Sequence, residues 1–105
     1  MPSMKILRRS LEITLRDKVC HDVRKQLGVR SLQLELRFDA GWPDRLFLLP
    51  GGKPLFMEFK RPGGRPRPLQ LERLDTLVRL GYLESIDDGW SDDYEDAMAK
   101  IKRAL

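Results

Sequence analysis

Residues 46–60 leave this chain few ways to fold. Leu46-Phe47-Leu48-Leu49 and Leu55-Phe56-Met57-Glu58-Phe59-Lys60 are short, mostly apolar runs with Pro50-Gly51-Gly52-Lys53 between them. Proline presets φ at the second position of a β-turn and glycine supplies φ > 0 at the third, so the junction reads as a type II turn. Two apolar runs joined by such a turn form an antiparallel hairpin in the middle of a sheet.

The flanking sequence supplies the layers. Leu11, Leu15, Val19, Val23 and Leu27 recur every four positions, with Ile13 and Cys20 beside them, which is one face of an amphipathic helix. Ser10 is the expected N-cap and Gly28 the stop. Leu32, Leu34, Leu36 and Phe38 then alternate with Gln33, Glu35 and Arg37, the period-two pattern of a half-buried strand, until Asp39-Ala40-Gly41-Trp42-Pro43 breaks it. The stretch Arg61–Pro68 holds three prolines, two glycines and three arginines and reads as a loop. Leu69, Leu71, Leu74, Leu77, Val78 and Leu80 make a second helix, ended by Gly81. Tyr82–Ile86 is a candidate strand, Asp87-Asp88-Gly89 a turn, and Ser91 the cap of a last helix. That helix is acidic at its start and basic at its end, as the helix dipole favours. The expected order is α-β-β-β-α-β-α, a mixed sheet flanked by helices of the α/β or α+β class. At 105 residues it is one domain, 1–105, with no room for a second core.

Composition removes several classes of function. One cysteine, Cys20, excludes an internal disulfide and a multi-cysteine zinc site, and one histidine, His21, excludes a histidine-rich metal centre. The first ten residues, MPSMKILRRS, lack the apolar stretch of a signal peptide, and no 18 apolar residues run together, so a soluble, cytoplasmic chain is expected. Residues 1–82 carry 17 Lys/Arg against 9 Asp/Glu, whereas residues 83–105 carry 3 against 7. A basic body with an acidic end suits a polyanionic partner, although charged helices also solvate themselves.

Chemistry concentrates where the hairpin opens. Asp44 stands immediately before its first strand, and Glu58-Phe59-Lys60 closes its second. Antiparallel pairing brings those two ends together. Residues two apart in a strand share a face, so Glu58 and Lys60 point one way and Phe59 the other. Burying Glu58 and Lys60 among Leu, Phe and Met is costly without partners. Two carboxylates there suit Mg²⁺ or Mn²⁺, hard ions that take oxygen ligands and keep several waters. Such an ion, bridging a phosphate oxygen and a water, supports phosphodiester hydrolysis, with Lys60 holding or polarising the water. Gln70 follows at the start of the second helix. Arg61, Arg65 and Arg67 join Lys60 as four cations with no acid between them, a candidate grip on DNA phosphates.

With these residues in view, the sequence resembles the virus-type replication–repair nuclease (VRR-NUC) family, a branch of the PD-(D/E)xK, restriction-endonuclease-like nucleases. The matching elements are Gly41-x-Pro43-Asp44-Arg45, Pro50-Gly51-Gly52, Phe56-x-Glu58-x-Lys60, Pro62-Gly63-Gly64, Pro68-Leu69-Gln70 and Leu80-Gly81-Tyr82. The resemblance spans roughly residues 11–86. It implies that Asp44 and Glu58 ligate the divalent ion, that Lys60 is the catalytic lysine and that Gln70 supports the site. By position, Glu12 on the first helix would complete the acidic set. Trp42 is bulkier than the residue usual there. The lysine common on the preceding strand has Arg37 as its nearest counterpart, a further candidate for DNA contact. Standalone domains of this size resemble small phage-type nucleases that act as homodimers on branched DNA. The expectation is therefore a structure-specific DNA endonuclease, a four-way (Holliday) junction resolvase working as a dimer, phage- or prophage-encoded. A flap- or nick-directed nuclease and a non-catalytic nucleic-acid-binding module are the alternatives.

Overall fold

The computed structural model describes residues 4–105, with side chains described from residue 10 onward; the leaderless reading of residues 1–10 falls largely outside that range. The chain runs α1 (Met4–Leu27), β1 (Arg30–Gln33), β2 (Arg45–Leu49), β3 (Lys53–Phe59), α2 (Pro68–Arg79), a 3-10 turn (Ile86–Gly89), β4 (Trp90–Ser91) and α3 (Tyr94–Ala104). The four strands form one mixed sheet in the order β1-β2-β3-β4, antiparallel except for the parallel β3–β4 pair. This is an α+β arrangement.

The hairpin forms as its sequence dictates. Leu49 pairs with Lys53, and Gly51 at the third turn position has φ +80°. Gly52 is also left-handed, at φ +73°, so the turn uses both glycines. Residues directly opposite one another share a face, so Phe47, Leu55, Met57 and Phe59 project together into the core. There they meet Val19 and Val23 of α1 and Ala97, Met98 and Ile101 of α3. On the other face, Phe56 packs edge-on against Tyr82, just beyond α2, with ring centroids 5.9 Å apart.

Four expectations need correcting. Ser10 lies inside α1, not at its cap. The residues before it contain no glycine and a proline only at position 2, so the helix has no reason to stop there. The alternating strand starts earlier and stops sooner than Leu32–Phe38. The Leu34 N–H donates to the Asp44 carbonyl (2.8 Å), and because β2 begins only at Arg45, later residues find no partner. Leu36 and Phe38 are therefore exposed. Residues 82–86 are not a strand, because the N–H groups of Tyr82 and Leu83 still bond to the Leu77 carbonyl at the end of α2. The last strand is instead Trp90–Ser91. Finally, Asp93 caps α3 by accepting from the Asp96 N–H (2.9 Å), while Ser91 sits in β4 and donates its hydroxyl to the Asp96 carboxylate (2.8 Å).

Gly41 fixes the approach to β2. Its φ is +92°, and a β-carbon there would lie 2.7 Å from Leu69 Cγ. Arg73 of α2 donates to the Ala40 carbonyl and the Asp39 carboxylate and stacks near the Trp42 ring, holding this entry segment against the helix.

Candidate active site

Arg45 pairs with Met57, so the register carried one residue outward sets Asp44 across from Glu58. The open end of the hairpin lies between α1, which brings Glu12 and Arg16, and α2, which brings Gln70. Glu58 and Lys60 are each only 8% exposed. Lys60 Nζ stands 3.8 Å from Glu58 Oε1, too long for a hydrogen bond. The Lys60 main chain is fixed from β4, its N–H donating to the Ser91 carbonyl at 2.9 Å.

Gln70 serves two neighbours at once. Its Oε1 accepts from the Arg67 N–H (2.8 Å) at the start of α2, and its Nε2 donates to Glu58 Oε1 (3.3 Å). A helix-capping amide and a site-supporting amide are here the same group.

Burial governs the electrostatics. Removal from water pushes the Glu58 carboxyl up to about 8, and repulsion from Asp44 adds to the effect; Lys60 and a main-chain hydrogen bond from Asp44 offset only part of it. Burial also raises Asp44, against the pull of the Arg16 guanidinium. Asp44 Oδ1 is buried with no hydrogen-bond partner among the described residues. Such an atom is costly unless something fills its coordination.

Glu12, Ile13, Arg16, Asp44 and Phe59 line a hollow of about 160 Å³. Among the described residues, no three His, Cys, Asp or Glu side chains converge into a ready-made metal cage. Glu12 thus shares the hollow with Asp44 without closing a three-ligand cluster. Arg16 was not singled out by sequence reasoning. The available signal was its position one turn after Glu12, on the face that continues to Val19 and Val23.

Of the four cations proposed to hold phosphate, only Lys60 is buried; Arg65 and Arg67 are exposed and Arg61 half-buried. None of the three arginines forms an ion pair among the described residues. Their loop is nevertheless held in place: the Gly64 N–H bonds to the Arg61 carbonyl (2.8 Å), and the Gly63 N–H to Asp92 Oδ2 (2.9 Å). Arg37 stands apart, exposed on the segment after β1. A larger hollow of about 530 Å³ opens at the turn end of the hairpin, but Lys100 and Arg103 in its wall are already spent on Asp96 and Asp88.

No protein-family profile matches the chain. Over 42 residues it is 50% identical to a protein of Acyrthosiphon pisum secondary endosymbiont phage 1 named "Putative nuclease p44". The match covers 40% of this chain and 45% of that protein, so the chain spans less than half the length of the relative it resembles. No helix among the described residues is long and apolar enough to cross a membrane.

Proposed function

We propose that this chain is a divalent-metal-dependent DNA endonuclease of the VRR-NUC type, built on a PD-(D/E)xK core. The observation that carries the reading is the Asp44–Glu58–Lys60 arrangement: a buried Glu58 carboxylate opposite a half-buried Asp44 whose Oδ1 is buried without a partner, beside a buried lysine that makes no hydrogen bond among the described residues. The likeness to a phage protein named as a nuclease supports it independently.

The donor set fits Mg²⁺ or Mn²⁺, because the groups on offer are hard carboxylate oxygens and Asp44 Oδ1 has no other partner among the described residues. Asp44 and Glu58 would hold the ion, with Glu12 the nearest further carboxylate in the hollow. When bound, the ion supplies Lewis-acid stabilisation of the phosphorane's charge and lowers the pKa of the attacking water. Lys60 orients that water and neutralises charge growing on the phosphate. Gln70 keeps Glu58 turned toward the site, and Arg61, Arg65, Arg67 and Arg37 contact the DNA backbone.

Branched DNA is the proposed substrate, with a four-way junction first. Two symmetric cuts by a chain with one site require two copies, so the working form is a homodimer. The exposed Leu32 and Leu48 on the face of β1 and β2 that α1 and α3 leave open give a second copy apolar surface to cover.

The test is a cleavage panel of four-way junction, flap, nicked and linear duplex DNA with Mg²⁺ or Mn²⁺, beside chelator and Lys60→Ala controls. Paired nicks in the junction that vanish in both controls support the reading. Cuts confined to flaps or nicks replace the resolvase with a differently directed nuclease. Metal-dependent cutting of nothing, with DNA binding intact, leaves a non-catalytic binding module.

A further inference from the structure

Resting on the nuclease reading, we infer that Arg16 is a catalytic residue, gripping a non-bridging oxygen of the scissile phosphodiester. Its side chain reaches from α1 into the hollow beside Asp44 and is only 19% exposed. One edge of the guanidinium is occupied: Nε and Nη2 both donate to Asp17 Oδ1 at 3.2 Å. The other edge faces the site. Nη1 lies 4.0 Å from Asp44 Oδ2, beyond hydrogen-bond range, and makes no hydrogen bond within the described residues.

That leaves two N–H donors of a permanently charged group aimed into a small concavity beside a carboxylate with an unpartnered oxygen. A simple Asp44–Arg16 ion pair would close to hydrogen-bond distance and satisfy Asp44; this one does neither. What suits the guanidinium is a phosphate, whose oxygens accept from its planar fork, while the carboxylate is left for the divalent ion proposed above. Asp17 occupies the outer edge of the guanidinium, which leaves the free edge toward the hollow. Glu12, one turn earlier on the same face, ends in the same hollow. The first helix therefore offers the site an acid and a cation together.

The test uses the full chain and the DNA that the wild type cleaves, with Arg16→Ala, Arg16→Lys and Asp17→Ala variants. Arg16→Ala should slow single-turnover cleavage about 100-fold, in the range for losing one donor to transition-state charge. In chelator, its DNA binding should weaken and its log–log salt slope fall by about one, as expected for one lost phosphate contact. Mn²⁺ affinity of the DNA-free protein, measured by calorimetry, should hold. Arg16→Lys should recover part of the rate, and Asp17→Ala should lose less than Arg16→Ala.

Wild-type cleavage by Arg16→Ala overturns the inference. So does a loss of Mn²⁺ binding in step with cleavage, which makes Arg16 a support for Asp44 instead. If Arg16→Ala melts early, Arg16→Lys decides: a wild-type rate and salt slope there refute the need for a guanidinium. A wild-type protein that cuts no DNA with either ion sinks the nuclease reading itself, and the inference with it.

Discussion

Two lysines are buried among the described residues, and they are treated in opposite ways. Lys100, 6% exposed, donates to the Trp90 carbonyl at 2.8 Å, meets Asp96 at 2.9 Å and has Asp87 within 3.6 Å. Lys60, 8% exposed, makes no side-chain hydrogen bond among the described residues and has Glu58 at 3.8 Å as its ion-pair partner. The acids beside them differ in the same sense. Asp96 suffers from burial, yet the hydrogen bonds from Lys100 and Ser91 outweigh it and hold its carboxyl below the ordinary range. Glu58 is pushed up to about 8. A buried charge that has all its partners belongs to the architecture; one left short of partners costs stability that folding alone would not retain.

The sharpest way to break this contrast is to remove each charge in turn. Lys60→Met should cut single-turnover cleavage about 100- to 10,000-fold, the range for losing a group that acts on a proton. Its melting temperature should stay level or rise, because a poorly compensated buried charge has gone. Lys100→Met should do the reverse. Stranding the Trp90 carbonyl and Asp96 should cost about 1–3 kcal/mol in denaturant unfolding, with cleavage close to wild type below the lowered melting temperature. Equal effects of both changes on both readouts would erase the distinction.

Acidity separates the two clusters next. A Glu58 carboxyl near 8 when folded, and near the ordinary glutamate value when unfolded, means the native state binds the extra proton between those values. In chelator, stability should therefore fall as pH rises from about 4.5 to about 8, by up to about 1.4 kcal/mol per unit. Glu58→Gln should flatten that slope. Asp96 has the opposite sign: what it contributes is present above its ordinary value and lost as the solution becomes more acidic than that. Thermal melts across pH resolve both. Metal should close the gap, since a divalent ion must displace the Glu58 proton; Mn²⁺ binding at pH 7 should release about one proton, visible as a buffer-dependent heat.

The smallest effect belongs to Gln70, which touches only one of the two clusters. Gln70→Ala should lower stability by about 0.5–1.5 kcal/mol through the lost bond to the start of α2. Its cleavage deficit should be well short of that of Lys60→Met. A stability loss with no change in cleavage would assign the amide to the helix alone.

The contrast also shows what the sequence could convey. The hairpin, its turn and the meeting of Asp44 with Glu58–Lys60 were legible, because turn chemistry sets register and register sets which residues face each other. The face of α1 was legible from Leu15 to Leu27, since a four-residue spacing needs no knowledge of the partner. The strand at Leu32–Phe38 misled because alternation reports only that a segment is able to lie on a sheet. Whether it does depends on where the neighbouring strand begins, and β2 begins too late to pair with Leu36 or Phe38. The two-residue β4 was hidden for the complementary reason: Trp90-Ser91 is too short to carry a pattern, and only its fit beside Glu58 and Phe59 makes it a strand. Arg16 was invisible as a site residue because a charged residue on a charged helix stands out only once its surroundings are known.

The bond from the Lys60 N–H to the Ser91 carbonyl bears on how the chain comes into being. During synthesis, Asp44, Glu58 and Lys60 leave the ribosome well before Trp90-Ser91, and before the Lys100 that fastens that strand. A nascent chain holds the chemical groups early but lacks the rail along which Lys60 is aligned. Competence would thus arrive in one late step, when α3 docks, and a chain cut short before it would carry the ingredients of the site without its alignment.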